Sequence, residues 1–169
     1  MSPDDEPRPA GRLVVGLGAP DRGDDAVGAA VVRAVAVLDL PGVQVIEHED
    51  PTALIDLWSR CDLCVVVDAV VSGQAPGTVH VLEAGRDAEP LPSSGWAVTG
   101  RGGTHAFGIA SAVELARAMD RLPPRLVVVG VEATGFEHGA PLTAPVAHAV
   151  DRAVAVVLTA LRGEGTDAP

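Results

Sequence analysis

Apolar residues in this chain fall in short runs separated by stretches of helical spacing. Arg12–Gly18 (RLVVGLG) is a first buried strand, and Asp24 to about Leu38 carries apolar residues with helical period. Val43–Glu49 is a second strand. It leads into DPTALIDLWSR, where Asp50 can cap a helix and Pro51 suits its first position. LCVVVDAVV (Leu63–Val71) is a third strand. GTVHVLEA alternates apolar and polar residues with period two, the pattern of an edge strand. The stretch from Gly85 to Gly103 is rich in Gly, Pro and Ser and too long for an ordinary connection; it is expected to be a mobile functional loop. THAFGIASAVELARAMDRL follows as a helix with Thr104 as its cap. RLVVVGVEA is a last buried strand, and TAPVAHAVDRAVAVVLTALR a closing amphipathic helix.

This order predicts one α/β domain at 12–162, a mostly parallel twisted five-stranded sheet covered by helices on both faces. The acidic, proline-rich segment 1–11 is expected to be a disordered arm without signal-peptide character, and 163–169 a disordered tail. Composition agrees with this class. Of 169 residues, 47% are apolar but only 2% aromatic, so the core must be built from Val, Ala and Leu, as in strands buried on both faces. The net charge of −11 argues against nucleic acid as a partner. No apolar run is expected to approach the roughly 18–20 residues a membrane span requires, so a soluble, cytoplasmic protein is expected. All twelve cations are arginines. The absence of lysine removes a P-loop lysine, a Schiff-base lysine and a Ser-Lys dyad.

In open parallel sheets, ligands bind beyond the carboxyl ends of the strands. Asp25 falls in the turn after the first strand, Asp68 towards the end of the third, and His105 just after the long loop. Two carboxylates and an imidazole are a reasonable donor set for a divalent transition metal. Each residue also has a plain reading: helix-start charge for Asp24 and Asp25, loop formation for Asp68, a structural imidazole for His105. Asp68 sits between apolar neighbours on both sides, where an unpaired carboxylate is costly. Asp24 is assigned mainly to the helix dipole.

Other readings meet specific obstacles. GLGAPDRG is not G-x-G-x-x-G, and three acids in the turn would repel a pyrophosphate. Only Glu47 and Glu49 keep a Rossmann-type nucleotide enzyme in view. G-x-S-x-G and H-E-x-x-H are absent. His48, His80, His138 and His148 lack ligand-like spacing and read as solvated or structural. Cys61 and Cys64 form CDLC, but the pair runs into a strand rather than opening a helix, and no second pair completes a zinc site. They read as small core residues in a reducing compartment.

The segments GLGAPDRGDDAVG, VVVDAVVSGQAPGTV, THAFGIASAVELA and RLVVVGVEA, in this order and spacing, resemble the hydrogenase maturation proteases. These endopeptidases trim the C-terminus of the nickel-iron hydrogenase large subunit. The resemblance spans about Leu13 to Leu161. It implies an α/β fold and a metal-contacting triad, which falls residue by residue on Asp25, Asp68 and His105. It also implies nickel supplied by the large-subunit precursor, for which Cd²⁺ can substitute in the isolated protein. Cleavage is expected after the basic residue or histidine that follows the last metal-binding cysteine motif. A nickel-checking binding protein without proteolysis would keep the same triad. Two positions depart from the family pattern: Ala19, where Asn is usual, and HEDPTALI, which replaces an Asp-Gly-Gly-Thr type segment. Both bear on substrate choice rather than on the triad.

Overall fold

The computed structural model describes residues 11–90 and 108–163. Five strands, β1 (Arg12–Leu17), β2 (Val43–His48), β3 (Leu63–Val70), β4 (Val79–Glu83) and β5 (Arg125–Glu132), form one sheet in the order β2-β1-β3-β5-β4. All pairings are parallel except β4–β5. The period-two segment is thus an antiparallel edge strand, as its alternation predicts. Helices α1 (Val27–Ala36) and α4 (Ala144–Leu161) cover one face. Helices α2 (Leu54–Trp58) and α3 (Ile109–Ala118) cover the other.

Strand alternation assigns the two cores. Val14, Val65, Val67, Val127 and Val129 meet α1 and α4, whereas Val15, Cys64, Val66, Leu126 and Val128 meet α2 and α3. Central β3 is buried along its whole length, as a strand covered on both sides must be. The first and last glycines of the opening motif serve packing. A Cβ on Gly28 would lie 2.4 Å from the Leu17 carbonyl oxygen and 2.7 Å from that of Val67, and one on Gly16 2.4 Å from that of Gly28. Helix α1 therefore rests directly on the backbones of β1 and β3.

Several boundaries differ from expectation. The first helical segment begins as a 3-10 turn, Gly23–Ala26, before α1. Asp50 caps as expected, accepting from Thr52 N at 2.8 Å, but it opens a 3-10 turn at Pro51–Ala53 that continues into a five-residue α2. Helix α3 has Gly108 as its N-cap; the expected cap, Thr104, lies outside the described residues. Most of the expected mobile loop also lies outside them. Its described start is tethered, because Arg117 Nη1 donates to the carbonyls of Arg86 and Ala88. Helix α4, with 18 residues and a mean hydropathy of 1.4, is long and apolar enough to cross a membrane by length and composition, contrary to the reading of the sequence. Val146, Ala149, Ala153, Val157 and Ala160 are nevertheless buried, against a core shared with α1 and the sheet, and Asp151 and Arg152 are exposed. That is the pattern of a core helix.

The Gly28 contact is directly testable. Gly28→Ala forces backbone against backbone and is expected to destabilise the fold by about 1–3 kcal/mol in urea unfolding. A loss below about 0.5 kcal/mol would show that α1 lifts without penalty.

Candidate active site

Three carboxylates are buried among the described residues: Asp24, Asp68 and Glu132. They differ in what surrounds them.

Asp24 lies in the 3-10 turn after β1, and its side chain points inward. Its carboxylate accepts from Thr134 N (3.0 Å), Gly135 N (2.9 Å), Thr143 N (2.7 Å) and Thr143 Oγ1 (3.0 Å). Burial alone would raise its pKa, but these four bonds outweigh burial and hold it below the usual 3.8. The reading of Asp24 as a helix-start charge is therefore corrected. It is a clamp joining the turn after β1 to the segment after β5 and to the start of α4. The sequence-adjacent neighbour hid this because every partner lies more than a hundred positions away.

Glu132, at the end of β5, escaped the sequence reading, although a carboxylate closing a valine run is the same signal that singled out Asp68. It is 2% exposed and accepts from Ser72 N (2.8 Å), Ser72 Oγ (2.7 Å) and Gly73 N (2.9 Å), with His80 Nε2 at 3.1 Å. Burial raises its pKa, yet the bonds from Ser72, His80 and Gly73 bring it below the ordinary value. Glu132 thus fastens the loop after β3, and His80 takes the structural role read for it. His48 is also engaged locally, accepting from Asp50 N at 3.1 Å.

Asp68 is the exception. It lies inside β3, two residues before the strand's end, and is 2% exposed. Its Oδ2 has no hydrogen-bond partner among the described residues. Burial pushes its pKa well above 3.8 and the nearby Asp25 carboxylate pushes it further, against a smaller opposing pull from the Ala69 backbone N–H. Asp25 itself is half-buried, and its Oδ2 accepts from Ala19 N at 2.9 Å. Gly18 makes this turn possible. Its φ is +118°, and a Cβ there would lie 2.2 Å from the Asp25 carbonyl oxygen. Ala19 holds Asp25 through its backbone N–H, so this bond does not require the asparagine usual in the resembled family.

The fold therefore brings Asp25 and Asp68 together at the carboxyl rim, one on β3 and one in the turn after β1. His105 lies outside the described residues, three positions before Gly108, the N-cap of α3. Among the described residues no cluster of three or more His, Cys, Asp or Glu forms a metal site. Two carboxylates close enough to repel, one of them buried with an oxygen unpartnered, are the chemistry a divalent cation would neutralise. The donor set fits such an ion. Asp25 beside Asp68 at this rim would repel a pyrophosphate, which disfavours the nucleotide reading.

An α/β sheet with paired carboxylates at this rim defines a class, and comparison with known proteins gives the family. A sequence model of the hydrogenase maturation proteases matches residues 38–160, and the chain belongs to that family. This match includes Asp68 and leaves Asp25 outside. The chain is 31% identical over 160 residues to a hydrogenase 2 maturation protease of Escherichia coli, covering 92% of this chain and 93% of that protein. It is 30% identical over 171 residues to the hydrogenase expression/formation protein HupD of Rhizobium leguminosarum, covering 94% and 78%. The solved structure of the E. coli hydrogenase maturating endopeptidase HybD aligns with a TM-score of 0.73 at 27% identity, over 90% of this chain and 93% of that one. The protein is thus an endopeptidase of hydrogenase maturation, with the single-domain α/β architecture the sequence implies.

The clamp can be separated from the site. Asp24→Asn places an amide NH₂ against backbone donors and is expected to cost on the order of 1–3 kcal/mol, read by urea unfolding at neutral pH. Because the folded pKa of Asp24 lies below the unfolded one, its stabilisation is present above pH 3.8 and is lost as pH falls through the folded value. The difference between wild type and Asp24→Asn should therefore shrink below about pH 4. A pH-independent difference would show that charge on Asp24 contributes nothing.

Proposed function

We propose that the protein removes the C-terminal extension of a nickel-iron hydrogenase large-subunit precursor after nickel insertion, with Asp25, Asp68 and His105 contacting the substrate's metal. The observation that carries this reading is the buried Asp68 Oδ2, without a hydrogen-bond partner among the described residues, beside Asp25. The other two buried carboxylates are saturated with donors, so the fold is able to satisfy a buried acid; at Asp68 Oδ2 the described residues do not. A cation arriving with the substrate supplies the missing partner. Binding then couples recognition to metal loading: a precursor without its metal would leave both carboxylates facing one another, uncompensated.

The chemistry of this chain's residues follows. Asp25 is fixed by the Ala19 N–H and Asp68 lies on a buried strand, so both present carboxyl oxygens from positions already set by the fold. A metal held in the substrate and contacted by these side chains would place the scissile peptide against the rim.

Incubating nickel-loaded and metal-free precursors with wild type, Asp25→Asn, Asp68→Asn and His105→Asn, and reading product masses, tests the proposal. Wild type is expected to cut only the loaded precursor, and each variant to lose about 100-fold or more in rate. Equal cleavage of both precursors by wild type would defeat metal-dependent recognition. Unimpaired cleavage by Asp25→Asn or Asp68→Asn would remove that residue from the site.

A further inference from the structure

Two clefts, of about 560 and 450 Å³, open at the amino edge of the sheet, away from Asp25 and Asp68. Cys61 lines both and is partly exposed, so of the CDLC pair only Cys64 is a core residue. Exposed apolar side chains point to the other end of the molecule. Among the described residues, the large ones are Val37, Leu38, Val71, Leu115 and Met119. Val37 and Leu38 close α1, and Leu115 and Met119 lie at the end of α3; both helices lead there to the amino edge, where β2 and β5 begin. Of these residues only Val71 stands at the carboxyl rim, directly after β3. It follows Asp68 by three positions, about 10 Å of extended chain.

A single exposed valine is ordinary on a protein surface, but the anchoring around this one is not. Glu132 grips the loop after it at both ends. Its Oε1 accepts from Ser72 N and Gly73 N, and its Oε2 accepts from Ser72 Oγ and lies 3.1 Å from His80 Nε2. Its backbone N–H donates to Thr78 O, and its carbonyl accepts from Gly77 N, each at 2.8 Å. On the other side of Val71, the Val70 carbonyl accepts from Ala133 N at 2.8 Å. Val71 is thus held between two anchored residues, and an apolar contact made there loses little freedom on binding.

We infer that Val71 is a substrate-contacting residue that receives an apolar side chain of the precursor beside the bond to be cut, and that Glu132 is the positioning residue that holds it there. On the proposed reading of Asp25 and Asp68, on which this rests, the substrate's metal brings the precursor to this rim. Acidic side chains are disfavoured beside two carboxylates on a chain of net charge −11, whereas an apolar one gains by covering Val71.

The test measures kcat and KM of the full chain on nickel-loaded precursor, with urea unfolding of each variant alongside. Val71→Ser should raise KM about fivefold, with kcat within about twofold of wild type and an unchanged urea midpoint. Val37→Ser and Met119→Ser, at the amino edge, should leave KM as it is. Glu132→Ala should raise KM as Val71→Ser does, and the double variant should raise it no further. Where Glu132→Ala does not fold, Glu132→Gln replaces it; it keeps an acceptor for Ser72 N and Gly73 N, so its rise should be smaller. An unchanged KM for Val71→Ser overturns the inference, and so does an equal rise for Val37→Ser or Met119→Ser. Additive effects of Glu132→Ala and Val71→Ser remove Glu132 as the positioning residue. Failure of the metal reading looks different: wild type then cuts metal-free precursor equally well, and KM on either precursor still decides for Val71. Should wild type cut neither, the dissociation constant of the uncut nickel-loaded precursor takes the place of KM, with the same expectations.

Discussion

The Asp24 carboxylate organises the functional end of this molecule. Its four donors come from the segment after β5 and from Thr143, the N-cap of α4, while its own backbone N–H donates to Gly135 O at 2.7 Å. Turn, loop and helix start are thereby fixed to one another. The neighbouring residue in the turn, Asp25, inherits its position from this clamp. Gly18 lets the chain fold back so that Ala19 N reaches Asp25. Charge on Asp24 is well matched to its burial, because each carboxylate oxygen meets hydrogen-bond donors.

Asp68 follows the opposite logic. Its folded pKa lies above 3.8, so its effect on stability is most favourable below that pH and turns progressively against folding as pH rises towards the folded value. A buried carboxyl group pushed towards its neutral form beside a second carboxylate agrees with the proposed reading, in which the partner comes from outside. Hydrogenase maturation supplies such a partner on the proposed reading. Glu132, equally buried on the neighbouring strand, shows the alternative: Ser72, Gly73 and His80 satisfy it, and it serves structure.

Strands, their order of appearance and the rim position of Asp25 and Asp68 were legible because they follow from local periodicity and the geometry of parallel sheets. The role of Asp24 was not, since its position in a first helical turn suggests a dipole partner while its true partners are contributed by residues 134–143. Splitting of the first helix into a 3-10 turn and α1 follows from the same clamp. Glu132 was overlooked although its local pattern matched that of Asp68; only the donors around each carboxylate separate the two roles. Cys61 and Cys64 look alike in sequence, and only the turn after α2 decides that one reaches a cleft and the other does not.

The central claim is that Asp68 is retained for a cation and not for the fold. Urea unfolding of wild type and Asp68→Asn, at pH 7–8 without added metal, tests it most directly. Asparagine removes the repulsion with Asp25 and can donate to that carboxylate, while its oxygen keeps the bond from the Ala69 N–H. The account predicts that Asp68→Asn is at least as stable as wild type. A loss of about 2 kcal/mol or more would contradict it, because it would place Asp68 among the structural carboxylates with Asp24 and Glu132.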